Sequence, residues 1–168
     1  SCFPKGVSAL IRTARENKSP VSIIEQVERV NHERKIAMVG RIEAAAGGAL
    51  RGKTIAILGV TFKPNTDDMR DAPSLVIVPM LQERGATVRA FDPQGRKHAD
   101  PLLPGVVWCE SALDAIAGAH VLTVVTEWNE FRALDLKAAR ECMAGNALVD
   151  LRNIFQADAA RDAGFTYQ

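Results

Sequence analysis

The sequence predicts an α/β protein with a doubly wound parallel sheet, preceded by one long helix. From residue 53 onward, short apolar runs rich in β-branched residues alternate with segments of helical periodicity. Before them, residues 20–46 have the spacing of a single helix, which ends at Gly47-Gly48. The length of 168 residues suffices for a core of ordinary size, and 47% hydrophobic with 24% charged residues is typical of a globular protein.

The long helix is predicted from its start signal and from its apolar side. Ser19 is a favourable N-cap, and Pro20 stands at the first helical position, where its missing N–H costs nothing. Apolar residues then recur on one side, at Ile24, Val27, Met38 and Ile42. Such a helix would extend about 40 Å at about 1.5 Å per residue. We expect it to join two domains or to pack on another subunit.

The alternating segments are placed by their periodicity. Strands are predicted at 53–60, 87–91, 121–125, 147–150 and 164–168, and helices at 74–84, 111–117, 136–143 and 156–163. Residues 93–105 contain three prolines and are predicted to form a surface loop. A sheet of this kind binds ligands at the carboxyl ends of its strands. The segments to inspect are therefore 59–73, 91–96, 126–131 and 150–155.

Charge and cysteine content narrow the class of protein. A net charge of +1 gives no general attraction to nucleic acid or to an anionic membrane. No segment approaches the roughly 18 to 20 apolar residues that a membrane span needs. Cys2, Cys109 and Cys142 form no C-x-x-C pair and have no His at ligand spacing, so no metal site is predicted. An odd number of cysteines suits a reducing cytoplasm.

Both ends of the sequence suggest a piece of a longer protein. Ser1 is not a Met and does not begin a signal pattern. Residues 164–168 look like the opening of a strand with nothing after it. We therefore expect a fragment.

The turn after the first predicted strand, residues 59–71, differs from a dinucleotide-binding turn. It lacks the pattern G-x-G-x-x-G, so nothing in it lets a backbone approach a pyrophosphate closely. It supplies Lys63 and Arg70 and precedes Ser74 near a helix N-terminus, and these groups suit anionic phosphates. The alternative is a surface loop whose opposite charges neutralise one another, and spacing alone does not decide between the two.

Three further positions are candidates for chemistry. Cys2 has a cation three residues away, Lys5, which can favour the reactive thiolate; the alternative is an inert apolar cysteine. Arg152 follows a predicted buried strand and is well placed for a phosphate or a carboxylate; the alternative is an ion pair with Asp150. Trp128, in the segment Thr-Glu-Trp after another strand, is predicted to pack on a neighbouring element.

Several motifs occur together and in a fixed order along the whole chain. They are Cys2-Phe3-Pro4-Lys5, G-V-T-F-K-P-N-T-D-D-M-R at 59–70, Phe91-Asp92-Pro93, Thr126-Glu127-Trp128 and Asp150-Leu151-Arg152. In this order they resemble the UDP-glucose/GDP-mannose dehydrogenase family, and the first two look most like its bacterial UDP-glucose 6-dehydrogenases.

The resemblance implies an activity and assigns residues to it. The activity is the NAD-dependent oxidation of the C6 alcohol of UDP-glucose to the carboxylate of UDP-glucuronate, in two hydride transfers. Cys2 would act through a thiohemiacetal and a thioester. The other assigned residues form two groups: Lys5 and Arg70 at the cofactor NAD, and Phe62, Lys63 and Arg152 at the nucleotide sugar.

The resemblance also implies an organisation. Residues 1–18 would be the end of the catalytic loop and a short helix, 19–48 a central linking and dimerisation helix, and 49–168 a Rossmann-like nucleotide-sugar-binding domain truncated at its C-terminus. The implied partners are a UDP-sugar and a second copy of the chain. The family usually has Asp after C-F-P-K, where it assists thioester hydrolysis, and this sequence has Gly6. The first Rossmann domain is absent from the sequence, so we expect the chain alone to be inactive.

The sequence leaves two alternatives to this function. The chain can instead be a nucleotide-sugar-binding and dimerisation module without chemistry of its own. A flavodoxin-like regulatory domain of the receiver type needs acidic residues at the end of the first strand, where this chain has Gly59, Val60 and Thr61.

Overall fold

The computed structural model describes the backbone of residues 2–168 and the side chains of residues 6–168. Its strands are β1 (Thr54–Leu58), β2 (Thr87–Phe91), β3 (Val107–Trp108), β4 (Val121–Val124), β5 (Ala147–Asp150) and β6 (Thr166–Tyr167). They form one parallel sheet in the order β3-β2-β1-β4-β5-β6. This confirms the predicted doubly wound sheet. The chain changes direction across the sheet between β1 and β4, which is the switch point where such sheets bind ligands.

Helices precede the sheet and flank its strands. They are α1 (Cys2–Glu16), α2 (Ser22–Ala45), α3 (Ser74–Glu83), α4 (Arg96–Ala99), α5 (Ala112–Ile116), α6 (Asn129–Arg132), α7 (Leu136–Cys142) and α8 (Ala157–Asp162), with a 3-10 turn at Asp100–Leu102. Ser111 caps α5, since its side chain accepts a hydrogen bond from Asp114 N at 3.1 Å. None of the helices in the described part of the chain is long and apolar enough to cross a lipid bilayer.

The long helix α2 is continuous, but its predicted start is wrong. Val21 is the N-cap, with no side-chain capping bond, and the helix begins at Ser22. Ser19 instead donates its N–H to the Ala14 carbonyl at 2.9 Å, and Lys18 beside it has φ 53°. The backbone N–H of Ser19 therefore satisfies a carbonyl at the end of α1, and the chain turns there before α2 begins.

The predicted loop at 93–105 contains more structure than expected. It holds the single turn of α4 and the 3-10 turn, and it leads into the two-residue strand β3. Trp108 fixes this region by donating its indole N–H to Asp100 Oδ1 at 2.7 Å. Elements of two to four residues are too short to produce a recognisable period in the sequence.

Two apolar cores lie on opposite faces of the sheet. Ile55 and Ile57 of β1 face the core that α2 and α3 cover, while Ala56 and Leu58 face the core beneath α5 and α7. Successive side chains of a strand point to opposite faces, so β1 is buried on both. This two-sided burial explains why the strand is a continuous apolar run in the sequence.

Candidate functional site

A cavity of about 470 Å³ lies where the carboxyl ends of β1, β4 and β5 meet α2. Its sheet side is lined by Phe62, Val125, Asp150, Leu151, Arg152 and Asn153. Its helical side is lined by residues of α2 that include Asn31, Arg34, Lys35, Met38 and Arg41. The cavity therefore stands at the switch point of the sheet, where the fold places a ligand.

Positive side chains line this cavity from two directions. Arg34, Lys35 and Arg41 come from α2, and Arg152 comes from the loop after β5. Lys35 is held near the turn that follows β1, because its Nζ donates a hydrogen bond to the Asp71 carbonyl oxygen at 3.3 Å. The same lining contains the acidic residues Glu28, Asp71 and Asp150, of which Asp150 accepts hydrogen bonds from backbone amides. The four cations outnumber the acids, which favours an anionic ligand.

The turn from 59 to 73 is anchored by buried hydrogen bonds. Gly59 has φ 78°, and a Cβ there would lie 2.5 Å from Thr126 Cβ, so only glycine fits. Thr126 Oγ1 donates to the Thr61 carbonyl at 2.6 Å. Ser74 is fully buried and donates its hydroxyl to the Val60 carbonyl, so this hydroxyl does not face a ligand. These bonds fix the start of the turn that carries Phe62 and Lys63.

Asp92, at the end of β2, is the largest hydrogen-bonding centre of this edge. The carboxylate is 5% exposed. It accepts bonds from Val60 N (2.7 Å), Thr61 N (3.1 Å), Thr61 Oγ1 (3.1 Å), Gln94 N (3.0 Å), Gly95 N (2.7 Å) and Trp128 Nε1 (3.3 Å). Trp128 is buried, in agreement with its predicted packing role. An acidic residue near this point of a dinucleotide-binding unit holds a ribose, whereas Asp92 holds three segments of its own chain.

Phe62 and Lys63 occupy different positions although they are adjacent. Phe62 is half-buried and lines the cavity, and its N–H donates to the Asp68 carbonyl at 2.8 Å. Lys63 is exposed and is not among the residues that line the cavity. Its carbonyl oxygen lies 3.2 Å from Thr61 Oγ1. The structure thus brings Phe62 to the cavity and leaves the Lys63 side chain at the surface.

Arg70 forms a two-pronged ion pair within the same turn. Its Nε and Nη2 each lie 2.8 Å from an oxygen of Asp68, and the Arg70 side chain is 62% exposed. Nearby, His98 Nδ1 lies 3.1 Å from Asp67 Oδ2. Opposite charges of this turn therefore pair with one another or with neighbouring elements, as the surface-loop alternative expects, and Arg70 lies outside the cavity lining.

The loop after β5 is organised by Asp150, which is 2% exposed. Its Oδ2 accepts the N–H groups of Ile154 (2.8 Å) and Phe155 (3.0 Å) and the hydroxyl of Tyr167 (3.1 Å). Burial and the charge of Asp150 raise the pKa of Tyr167 to about 12. Asp150 Oδ1 accepts the backbone N–H of Arg152 at 3.0 Å. The Asp150 carboxylate is therefore engaged in hydrogen bonds to the amides of its own loop and to the Tyr167 hydroxyl.

The alternative interpretation of Arg152, an ion pair with Asp150, is wrong for the two side chains. The guanidinium forks onto Glu127, with Nε donating to Oε2 and Nη2 donating to Oε1 at 2.6 Å. Burial alone would raise the pKa of Glu127, but the hydrogen bond and charge of Arg152 outweigh it and lower that pKa. Sequence reasoning assigned no role to Glu127. The sequence does not reveal this contact because it depends on strand pairing. Val124 of β4 and Asp150 of β5 are partners in register, which brings the loops that follow the two strands together.

The cysteines lie in different environments, and the described residues form no metal site. Cys2 and Lys5 belong to α1 by their backbone, and their side chains lie outside the described residues. Cys109 and Cys142 both lie within or beside apolar segments, which predicts core positions for them; Cys109 is buried, whereas Cys142 is exposed, so the prediction is wrong for Cys142. Within residues 6–168, no three His, Cys, Asp or Glu side chains stand close enough together to hold a metal ion.

Comparisons with known proteins agree on one family. The sequence model for the UDP-glucose/GDP-mannose dehydrogenase family, UDP binding domain, matches residues 56–157. Over 99% of its length the chain is 47% identical to a UDP-glucose 6-dehydrogenase of Rhizobium meliloti, of which it covers 38%. It is 38% identical, over its full length, to a UDP-glucose 6-dehydrogenase of Pseudomonas aeruginosa, again covering 38%.

The fold has a close counterpart among solved structures. The whole chain superposes on 36% of a UDP-glucose dehydrogenase from the archaeon Pyrobaculum islandicum, with a TM-score of 0.84 and 31% identity. The chain therefore spans well under half the length of these relatives. With a family match over more than half of its residues, this chain belongs to the UDP-glucose/GDP-mannose dehydrogenase family and contains its UDP binding domain.

Proposed function

We propose that this chain is the C-terminal, nucleotide-sugar-binding part of an NAD-dependent UDP-glucose 6-dehydrogenase. The observation that carries the proposal is the cavity at the switch point, lined by Arg152 on the sheet side and by Lys35 and Arg41 on α2. A diphosphate between these groups would receive charge-assisted hydrogen bonds from both walls. Phe62, half-buried in the same lining, offers an apolar surface to the rest of the nucleotide sugar.

This domain does not itself fit a dinucleotide. The turn at 59–73 lacks the glycines that let a pyrophosphate approach the backbone. The Asp92 carboxylate already accepts hydrogen bonds from donors of its own chain, so it is not available to a ribose. Bound NAD supplies the hydride acceptor, and we assign that site to the rest of the enzyme. Lys5 and Arg70 are the residues of this chain proposed to reach the cofactor.

Cys2 is proposed as the nucleophile of the second oxidation. Its thiolate adds to the C6 aldehyde, which gives a thiohemiacetal able to lose hydride and become a thioester. Water then displaces the thiol and releases the carboxylate. Gly6 stands where the family usually has Asp, and a Cβ at this position would meet no described atom within 4 Å. No described atom therefore obstructs a side chain at this position, and we propose that a group other than residue 6 assists hydrolysis in this protein.

Calorimetry on the chain tests the binding part of this proposal. We expect UDP-glucose to bind, and Arg152→Ala or Lys35→Ala to weaken its binding about tenfold, because both side chains line the cavity and a charge-assisted bond contributes about 1.5 to 3 kcal/mol. Lys63 is proposed to contact the nucleotide sugar from outside this lining, and Lys63→Ala is expected to weaken binding less. Adding NAD should produce no NADH. Arg161→Ala is the matched control, since Arg161 lies on α8 and pairs with Asp158 at 3.1 Å. No binding, or an equal loss in the control, would contradict the proposal.

The exposed side of α2 supports a homodimer in the same proposal. Ile23 is 82% exposed, Val30 47% and Val27 41%, which is unusual for large apolar residues clustered on one helix. We expect sedimentation to give a dimer or a larger species, and Ile23→Glu with Val30→Glu to give a monomer. Leu113→Glu, at a 44% exposed position of α5, should leave the mass unchanged. A monomeric unaltered chain at high concentration would refute the dimer.

A further inference from the structure

We propose that Glu127 is a positioning residue, which holds the guanidinium of Arg152 so that its remaining N–H edge meets the diphosphate of the nucleotide sugar. The inference rests on the proposed function, because it concerns how the same site recognises its anionic ligand. The Glu127 carboxylate does not itself line the cavity, so it would act on the ligand only through Arg152.

The geometry of the fork is the first support. Glu127 takes Nε and Nη2 of Arg152, with Nη2 donating to Oε1 at 2.6 Å. Among the hydrogen bonds of the described residues, none uses Nη1 of Arg152. Arg152 lines the cavity and Glu127 does not. The Glu127 carboxylate therefore binds the guanidinium from outside the cavity lining. One edge of the planar group is thereby fixed and the other is left for an anion.

The backbone beneath Arg152 is fixed as well. Its N–H donates to Asp150 Oδ1 at 3.0 Å, and the next amides of the loop, those of Ile154 and Phe155, donate to Oδ2. Both ends of the Arg152 side chain are therefore held, one by Asp150 and one by Glu127. A long side chain that is already ordered loses less rotamer freedom when it binds a ligand.

The electrostatic effect of Glu127 has the opposite sign to its positioning effect. A carboxylate close to the site repels a diphosphate, so removing its charge should tighten binding if charge alone matters. If the fork orients Arg152, removing it should weaken binding, because the guanidinium is then free to adopt other rotamers. The sign of the change in affinity for Glu127→Gln therefore separates the two roles.

The experiment is a titration of the 168-residue chain with UDP and, separately, with inorganic pyrophosphate. We expect Glu127→Gln to weaken both about fivefold or more, which is about 1 kcal/mol at about 1.4 kcal/mol per tenfold. Glu130→Gln, an exposed carboxylate on α6, is the charge-matched control and should not weaken either. In an Arg152→Ala background, Glu127→Gln should no longer weaken binding, because the residue it positions is gone and only the removal of a repelling charge remains.

Each outcome decides one point. Unchanged or tighter binding in Glu127→Gln, with Arg152→Ala still weakening it, overturns the positioning role and leaves the proposed function standing. A Glu127-dependent site for pyrophosphate without UDP binding keeps the positioning role and overturns the proposed function. No binding of either anion by the unaltered chain overturns both. If Glu127→Gln does not fold, Glu127→Asp retains the charge but shortens the reach, and the same loss of affinity is expected.

Discussion

Cys2→Ser in the complete enzyme is expected to reduce the formation of UDP-glucuronate by roughly a thousandfold or more. A hydroxyl is a far poorer nucleophile than a thiolate near neutral pH, and an oxygen ester would have to replace the thioester. In the proposed mechanism the first oxidation does not need the nucleophile, so one hydride transfer should persist. Rapid-mixing measurements should then show at most one NADH per UDP-glucose, with the aldehyde accumulating.

Cys142→Ser is the matched control for this substitution. Cys142 is an exposed free cysteine at the end of α7, and its replacement should leave both oxidations unchanged. Loss of activity in both variants would point to instability in place of chemistry. Full turnover in the Cys2→Ser enzyme would remove the nucleophile from the mechanism and leave Cys2 as a packing residue.

Asp92→Asn is expected to lower the free energy of unfolding of the chain by about 3 kcal/mol. Both oxygens of this carboxylate accept hydrogen bonds from buried donors, including Val60 N at 2.7 Å and Gly95 N at 2.7 Å. An amide keeps one acceptor oxygen and turns its NH₂ toward the other set of donors, whichever way it is oriented. At least two donors then lose their acceptor, at about 1 to 3 kcal/mol each.

Urea denaturation measures this loss. Asp158→Asn is the control, since the Asp158 side chain is 94% exposed and its pairing with Arg161 contributes little. We expect the control to stay within about 0.5 kcal/mol of the unaltered chain. If Asp92→Asn unfolds at the same urea concentration as the control, the hydrogen bonds to Asp92 do not stabilise this edge, and the turn at 59–73 must be fixed by packing.

The main elements of the fold could be predicted because their signals are local. The strands β1, β4 and β5 are buried runs bounded by turns, and the helices between them repeat apolar residues at helical spacing. The start of α2 could not be predicted, because Ser19 satisfies the end of α1 instead. Likewise β3 has two residues, and its pairing with β2 exists only in the assembled sheet.

The site could be located by sequence but its pairings could not. Polar residues after β1, β4 and β5 were expected at one edge of the sheet, and the cavity lies there. The partner of Arg152, however, depends on the lateral register of two strands that lie more than twenty residues apart in sequence. Spacing offered Asp150 as the alternative partner of Arg152, whereas the Asp150 carboxylate accepts hydrogen bonds from backbone amides that no sequence pattern reveals.

Asp92 and Asp150 also affect how much order the ligand must impose. Loops at the edge of a sheet usually sample many conformations, and a ligand that selects one of them loses binding free energy to their entropy. Here two buried carboxylates already hold the amides of the turn after β1 and of the loop after β5. A ligand that binds at this edge would therefore meet backbone that is already ordered, and would lose less binding free energy to the entropy of these loops.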